Sequence, residues 1–134
     1  MTLPILPKQN SNAEAKFGLT FRKWWNEHKM LGTFELKYVR KGDSFPFSEL
    51  HDEQIAIGTM LHDKGVLLRV SSGTIGSPDY IGLKAFPCYV VIKYQKSWHI
   101  IPLSTLLLER DRSKRKSLTP GRAEAISVIT VPLK

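Results

Sequence analysis

The sequence predicts a mixed α/β (α+β) fold in which a mixed central β-sheet is flanked by helices. Segments whose apolar residues recur at helical spacing are interleaved with short segments rich in β-branched and aromatic residues. The length of 134 residues and the hydrophobic content of 42% allow one core but not two. We therefore expect a flexible N-terminal lead-in over residues 1–12 and a single domain over residues 13–134.

The first half of the chain predicts two helices with a strand between them. Residues 12–28 carry aromatic side chains near helical spacing, and residues 33–39 (TFELKYV) alternate between two faces, as a strand does. A turn separates this strand from the second helix, for which Ser48 is a suitable N-cap and Gly65 a suitable stop.

The second half predicts three strands, two helices and a final strand. The strand candidates are rich in Val, Ile and aromatic residues, and Thr119 followed by Pro120 is typical of a helix start. A Gly/Pro-rich connection separates the first two strands. The predicted segments are residues 66–70, 88–94 and 98–103 as strands, 103–112 and 118–125 as helices, and 126–131 as the last strand.

The charge balance favours a polyanionic partner. Twenty Lys and Arg residues against twelve Asp and Glu residues give a net charge of +8, which is high for one small domain. Nucleic acid is the commonest partner of such a domain, and a role in solubility alone is the alternative.

Membrane insertion, secretion and disulfide bonding are not expected. No apolar run reaches the roughly 18 residues of a spanning helix, and the N-terminus lacks the order of a secretory signal. We therefore expect a cytoplasmic protein. The single cysteine, Cys88, lies in an apolar strand and is expected to be a small buried side chain.

Glu35 and Lys37 are candidates for chemistry because a strand places residues two apart on one face. A carboxylate can ligate Mg²⁺, and a neighbouring amine can neutralise charge that develops on a phosphodiester. An exposed ion pair explains the same two residues. Gln54 falls on the predicted apolar stripe of the following helix, which is formed with Leu50, Ile57 and Leu61. There it is satisfied either by backbone groups or by reaching Glu35 and Lys37.

The stretch FELKYVRKGDSFPFSELHDEQIAIGTML resembles RecU-type Holliday junction resolvases and their phage relatives in the PD-(D/E)XK nuclease superfamily. The matching residues are Glu35 and Lys37, the turn Phe45–Phe47, and His51 followed by Gln54. The resemblance implies a restriction-endonuclease-like fold, a catalytic role for Glu35, Lys37 and Gln54, and Mg²⁺ as cofactor, with Mn²⁺ possible. It also implies a homodimer that cleaves branched or duplex DNA in a bacterial or phage-infected cell.

One feature of the family pattern is missing, namely an Asp upstream of the E-x-K strand that holds the same metal. Residues 20–33 contain no Asp. We expect Asp79 to complete the site as the second metal ligand beside Glu35. Glu27 is a second candidate, and an incomplete, inactive site is the third possibility.

Basic residues are expected to follow the DNA backbone. Phosphate contacts of this kind give affinity without sequence information. The candidates are Lys23, Arg40, Lys41, Arg112, Lys114, Arg115 and Lys116. The function expected from the sequence is therefore a Mg²⁺-dependent endodeoxyribonuclease, most similar to a junction resolvase. The alternative is a catalytically inactive DNA-binding or assembly module of the same fold.

Overall fold

The computed structural model describes residues 8–39, 43–70 and 79–133. These ranges hold four α-helices, eight β-strands and one 3₁₀ turn. In chain order they are α1 (Lys8–His28), β1 (Thr33–Tyr38), β2 (Phe45–Pro46), the 3₁₀ turn (Phe47–Glu49), α2 (Asp52–Lys64), β3 (Val66–Val70), β4 (Asp79–Leu83), β5 (Cys88–Lys93), β6 (Ser97–Pro102), α3 (Leu103–Arg112), β7 (Ser117–Leu118), α4 (Pro120–Ile126) and β8 (Ile129–Pro132).

The chain divides into two compact units, Met1–Met30 and Leu31–Lys134. The first unit contains α1, which begins at Lys8, so residues 8–12 of the expected lead-in are helical. Residues 1–7 lie outside the described ranges. The helix ends before Lys29, whose φ of 55° is left-handed, and the indole Nε1 of Trp25 donates a 2.6 Å hydrogen bond to the carbonyl of Met30. The expectation of one domain over 13–134 stays a prediction.

The second unit is built on a four-stranded sheet with the strand order β1-β5-β6-β8. Strand β1 runs parallel to β5, whereas the β5–β6 and β6–β8 pairs are antiparallel. Helices α2 and α3 contact β5, and α3 and α4 contact β6. The predicted mixed α+β fold, with helices against a mixed central sheet, is confirmed.

The core lies between this sheet and the helices, and β5 runs through its centre. Val90, Val91 and Ile92 of β5 are almost completely buried, as expected for a central strand covered on both faces. Cys88 is buried as predicted, and its Sγ donates a 3.3 Å hydrogen bond to the carbonyl of Gly58. A Cβ on Gly58 would lie 2.5 Å from the side chain of Leu103, so this glycine allows α2 and α3 to approach closely.

Most predicted elements are found, and the helix start at Thr119 is confirmed. The Thr119 hydroxyl accepts a hydrogen bond from the Arg122 amide, and Pro120 is the first helical residue. Three strands were not predicted: β4, which pairs with β3, and the short pair β2–β7. Within the described ranges, no helix combines the length and apolar character needed to cross a membrane.

Candidate active site

Three polar side chains meet where α2 lies over the β1 strand. The amide Nε2 of Gln54 donates to Oε1 of Glu35 at 2.5 Å, and the Gln54 Oε1 accepts from the Lys37 amine at 3.0 Å. The Lys37 amine is 3.7 Å from the same Glu35 oxygen. We call Glu35, Gln54 and Lys37 the carboxylate–amide–amine network. The expected contact of Gln54 with the two strand residues is therefore found, and its partners are side chains rather than backbone.

The alternation of β1 places the network on the face that α2 covers. Glu35 pairs with Val90 and Lys37 with Ile92, and both partners belong to the main hydrophobic core. Cross-strand partners share a face of the sheet, so Glu35 and Lys37 face the core side. Gln54 stands in the first turn of α2 and reaches down to them.

The start of α2 differs from the prediction, which placed the N-cap at Ser48. The helix begins at Asp52 with His51 as N-cap, and the preceding residues form the 3₁₀ turn. Leu50 is extended, with φ −85° and ψ 107°, and this conformation interrupts the helix. Burial of Phe47 holds the turn in place. The later start places Gln54 near the positive end of the helix, beside a carboxylate.

The predicted apolar stripe of α2 is also shifted. Ile57, which the pattern placed on the buried side, is 56% exposed. Leu61 packs against the core as the stripe predicted, whereas Ile55 packs there in place of Ile57, and Gly58 is buried. Gln54, Gly58 and Leu61 therefore share the inner side of the helix at i, i+4 and i+7.

Exposure differs between the two charged groups. The Glu35 side chain is 45% exposed, whereas that of Lys37 is only 12% exposed. The second carboxylate oxygen of Glu35, Oε2, has no hydrogen-bond partner in the described part of the chain. The network thus holds an amine in place from one side and leaves one carboxylate oxygen open to an incoming ligand.

A mostly apolar cavity of about 200 Å³ adjoins the network and is lined by residues of β1, β5, α2 and α3. Glu35 and Gln54 belong to its lining, together with side chains such as Leu61 and Leu103. Apolar surroundings lower the local dielectric constant and strengthen the attraction between the amine and the carboxylate. The Glu35 side of the site is therefore accessible to solvent, whereas the adjoining cavity is mostly apolar.

The described side chains around Glu35 supply only part of the oxygen ligands that Mg²⁺ needs. Among the described residues, no three His, Cys, Asp or Glu side chains are grouped to hold a metal ion. Glu35 offers one hard oxygen ligand, and Mg²⁺ is often bound by one or two carboxylates with substrate phosphate and water completing its shell. Glu35 alone would then hold the ion in common with the substrate.

Asp79 is not linked to the network by a hydrogen bond or an ion pair. It is exposed at the start of β4, where it pairs with Val70. The β3–β4 sheet is separate from the sheet that carries Glu35. Glu27, the second candidate, is exposed on α1. The assignment of Asp79 as a second metal ligand stays a prediction.

The basic loop after α3 lies beside the turn that follows β1. Strand β2 pairs with β7, and the amide of Phe47 donates a 3.0 Å hydrogen bond to the carbonyl of Lys116. The hydroxyl of Tyr94 donates to the carbonyl of Leu118 at 2.8 Å, and Leu118 is buried. These contacts join the loop to the exit of the E-x-K strand, although they are about 70 residues apart in sequence.

The cations of the basic loop and of the helices on either side of it differ in their acidic partners. Arg122 of α4 forms a two-bond pair with Glu109, and Arg110 contacts Asp111. The predicted DNA-contacting residues Lys114, Arg115 and Lys116 of this loop are exposed and form no ion pair among the described residues. Arg112, the last residue of α3, is also exposed, and its charge helps to lower the pKa of Glu109 after the Arg122 hydrogen bond, which is the main cause. Lys23 is exposed on α1, and Arg40 and Lys41 lie outside the described residues.

A second polar network, which sequence reasoning missed, lies in the same sheet. Nε2 of His99 is 2.9 Å from the Ser97 hydroxyl, and Nδ1 is 2.9 Å from the Thr130 hydroxyl. His99 is almost completely buried, and this burial lowers the pKa of its imidazole below 6.5, while the charge of Glu124 acts in the opposite direction. We call His99, Ser97 and Thr130 the His99 network. A His within an apolar strand was its only signal in the sequence.

Comparison with known proteins does not assign the chain to a group. No protein-family model matches the chain, and no curated protein matches it. The arguments about function therefore rest on the residues and on their geometry.

Proposed function

We propose that this chain is a Mg²⁺-dependent endodeoxyribonuclease of the restriction-endonuclease-like type, acting on branched or duplex DNA in the manner of a Holliday junction resolvase. The observation that carries this proposal is the bridging of Glu35 and Lys37 by Gln54. An ordinary surface ion pair needs no third residue from another element. Here a helix side chain fixes both charges and leaves one carboxylate oxygen free.

Each member of the network has a separate role in phosphodiester hydrolysis. Glu35 would hold the metal ion, which when bound polarises the scissile phosphate and lowers the pKa of a water ligand. Lys37 faces the same position and neutralises negative charge as it develops on the phosphate. Gln54 is a positioning residue, because it fixes the Lys37 amine through its amide oxygen.

The basic loop supports a nucleic-acid substrate. Its cations, Lys114, Arg115 and Lys116, form no ion pair with a described acid and are tied to the exit of β1 through β2–β7. Arg112 stands next to them at the end of α3. Phosphates bound by this loop would lie along the same strand–turn segment as the network. The net charge of +8 acts in the same direction.

A specific observation favours a second candidate function, an inactive DNA-binding or assembly module. Glu35 is not grouped with two further metal-ligating side chains in the described residues. A module of this kind would keep the basic loop and bind the same DNA, but it would cleave none of it.

Incubation with four-way junction, duplex and single-stranded DNA, each with Mg²⁺, with Mn²⁺ and with a chelator, tests the proposal. The unmodified chain should cut at least one substrate in a metal-dependent manner. Glu35→Ala should abolish cleavage while DNA binding stays largely intact, because the carboxylate holds metal rather than DNA.

Glu53→Ala is the matched control, since Glu53 is an exposed acid next to Gln54 and outside the network. It should cleave at the unmodified rate. Undiminished cleavage by Glu35→Ala would contradict the assignment. Tight binding of junctions without cleavage under any metal would support the inactive module instead.

A further inference from the structure

The basic loop (residues 113–118) begins after α3 and ends before α4, and a two-bond ion pair joins these two helices. The guanidinium of Arg122 in α4 donates from Nε to Oε1 of Glu109 at 2.9 Å and from Nη2 to Oε2 at 2.8 Å. Glu109 belongs to α3 and stands 13 positions earlier in the chain. The pair therefore connects the two ends of the segment that carries the loop cations.

Neither charge is placed to stabilise its own helix. Glu109 is among the last four residues of α3, where the negative end of the helix dipole disfavours a carboxylate. Arg122 is the third residue of α4, where the positive end disfavours a cation. Exposed ion pairs add little to stability, whereas two parallel hydrogen bonds fix the relative orientation of their partners. The pair therefore fits a role in holding geometry better than a role in stabilising either helix.

The buried anchors of the two helices lie next to this pair. Leu106 of α3 and Ala123 of α4 are completely buried. Glu109 follows Leu106 by about one turn, and Arg122 directly precedes Ala123. The side chain of Glu109 is itself only 17% exposed. The ion pair thus extends the anchoring of the core to both ends of the loop.

Within the loop, backbone groups are bonded while the charged side chains are exposed. The amide of Arg115 donates to the hydroxyl of Ser113 at 3.1 Å, and the carbonyl of Lys116 accepts from the amide of Phe47. The side chains of Lys114, Arg115 and Lys116 form no ion pair among the described residues. A loop whose backbone is fixed beforehand loses less conformational freedom when it binds a ligand.

We propose that Glu109 and Arg122 are positioning residues, which hold the basic loop in the geometry that contacts consecutive phosphates of a nucleic-acid strand. This inference rests on the nucleic-acid substrate of the proposed function, but not on cleavage. If charge alone mattered, an acid beside a DNA-binding loop would weaken binding. If Glu109 positions the loop, the same acid strengthens binding.

Removal of Glu109 separates these two accounts by the sign of the effect. Glu109→Ala raises the net charge of +8 by one unit and frees Arg122 and Arg112 from a nearby acid, so charge alone predicts tighter DNA binding. Positioning predicts a dissociation constant about threefold to tenfold higher, because the loop must then be ordered on binding. Fluorescence anisotropy with four-way junction DNA and a chelator measures the affinity without cleavage.

Asp111→Ala is the matched control. Asp111 is an exposed acid of the same helix, and its ion-pair partner is Arg110, the neighbouring residue in sequence. The control changes the net charge by the same amount without breaking a link between helices. It should bind DNA as tightly as the unmodified chain or more tightly, and circular dichroism checks that both variants are folded.

The salt dependence of binding gives a second readout that reduced stability would not change. Each phosphate contact adds about 0.9 to the slope of log affinity against log salt concentration. Glu109→Ala should flatten this slope by about one unit, and Asp111→Ala should not. The double variant Glu109→Arg/Arg122→Glu restores an ion pair at an unchanged net charge, so it should recover both the affinity and the slope.

Several results would overturn the proposal. If Glu109→Ala binds as tightly as Asp111→Ala with an unchanged slope, the loop cations act by charge alone, and the proposed nuclease function is unaffected. A double variant that binds as weakly as Glu109→Ala would mean that the ion pair is not what holds the loop. If the unmodified chain binds no DNA, the proposed function itself fails, and the ion pair positions nothing for a nucleic acid.

Discussion

The four-stranded sheet carries two polar networks on the same face, and they differ in charge and in access. Lys37, Ile92, His99 and Thr130 form one cross-strand row, so the two networks are separated by a single isoleucine. The carboxylate–amide–amine network contains two formal charges, and its carboxylate is about half exposed. In the His99 network the imidazole is buried, and a hydroxyl lies within hydrogen-bond distance of each ring nitrogen.

This difference indicates that the carboxylate–amide–amine network can bind a ligand, whereas the His99 network stabilises the sheet. A buried group whose hydrogen bonds are all made has no capacity left for a ligand, and it stabilises the strands that it joins. His99 joins β6 to β8 in this way. An open carboxylate beside a fixed amine keeps capacity for a metal ion and a phosphate. The two networks should therefore respond to mutation in opposite ways, the first through activity and the second through stability.

After the loss of cleavage expected for Glu35→Ala, the largest effect is expected at Lys37. Replacing it in Lys37→Met removes the cation that would stabilise charge in the transition state, and losing one such donor costs about 10²–10³-fold in rate. Single-turnover cleavage assays measure this loss. The unfolding free energy should change little, because the Met side chain still fills the partly buried space.

Lys64→Met is the control for this prediction, since Lys64 is an exposed lysine at the end of α2, the helix that carries Gln54. It should cleave at the unmodified rate. Equal losses in both variants would indicate a general effect of charge on DNA binding rather than a catalytic amine.

The second effect concerns His99 and stability. His99→Leu removes both hydrogen bonds of the ring, and the net value of one hydrogen bond is about 0.5–1.5 kcal/mol. Thr130 is exposed and keeps its contact with the Ser127 hydroxyl, so most of the loss is expected from the partly buried Ser97. Urea unfolding measures this loss. The cleavage rate per folded molecule should stay unchanged, because the ring touches no residue of the carboxylate–amide–amine network.

His99→Gln is the control for this variant, because an amide can bond to both hydroxyls and recover much of the stability. A His99→Leu protein that is fully stable but cleaves poorly would reverse the comparison. That result would mean that the His99 network takes part in catalysis and that the carboxylate–amide–amine network is structural.

The sequence was sufficient for those features that depend on local pattern. The alternation of β1 placed Glu35 and Lys37 on one face, and the helical stripe left Gln54 two alternatives, of which the contact with these residues is the one found. Both periodicities are short-range. The Thr119 cap was predicted for the same reason. The mixed sheet followed from the order of strand and helix patterns.

Features that depend on distant partners were not predictable. The 3₁₀ turn before α2 is held by Phe47, whose amide bonds to the carbonyl of Lys116, so Ser48 could not be excluded as a cap from local sequence. Strand β4 lies in a Gly/Pro-rich segment and forms only by pairing with β3. The hydrogen-bond partner of His99 at Nδ1 is Thr130, which lies 31 residues later in the chain.

A smaller effect is expected at Gln54. Gln54→Leu keeps the size of the side chain but removes both hydrogen bonds, so the Lys37 amine is no longer fixed. The net value of a hydrogen bond is about 0.5–1.5 kcal/mol, which corresponds to roughly a threefold to tenfold lower cleavage rate. Saturating-substrate assays should show this loss in kcat rather than in KM, because Gln54 acts through Lys37.

Gln95→Leu, at an exposed glutamine in the β5–β6 turn, is the control and should leave kcat unchanged. If Gln54→Leu cleaves as fast as the unmodified chain, the amine does not need to be held. The carboxylate–amide–amine network would then be a stabilising contact like the His99 network.

The smallest effect is the pH dependence of stability that His99 introduces. Burial lowers the pKa of the folded imidazole below 6.5, while the unfolded chain takes up its proton near the ordinary value. The unfolded state therefore binds more protons as the pH falls, and the unfolding free energy decreases below about pH 6.5. His99→Gln cannot titrate, so its unfolding free energy should fall less between about pH 7 and pH 5.5. Urea unfolding of both proteins across this range measures the difference. Parallel curves would mean that the imidazole is protonated equally in the folded and unfolded states. Burial would then not separate the His99 network from a site that is open to water.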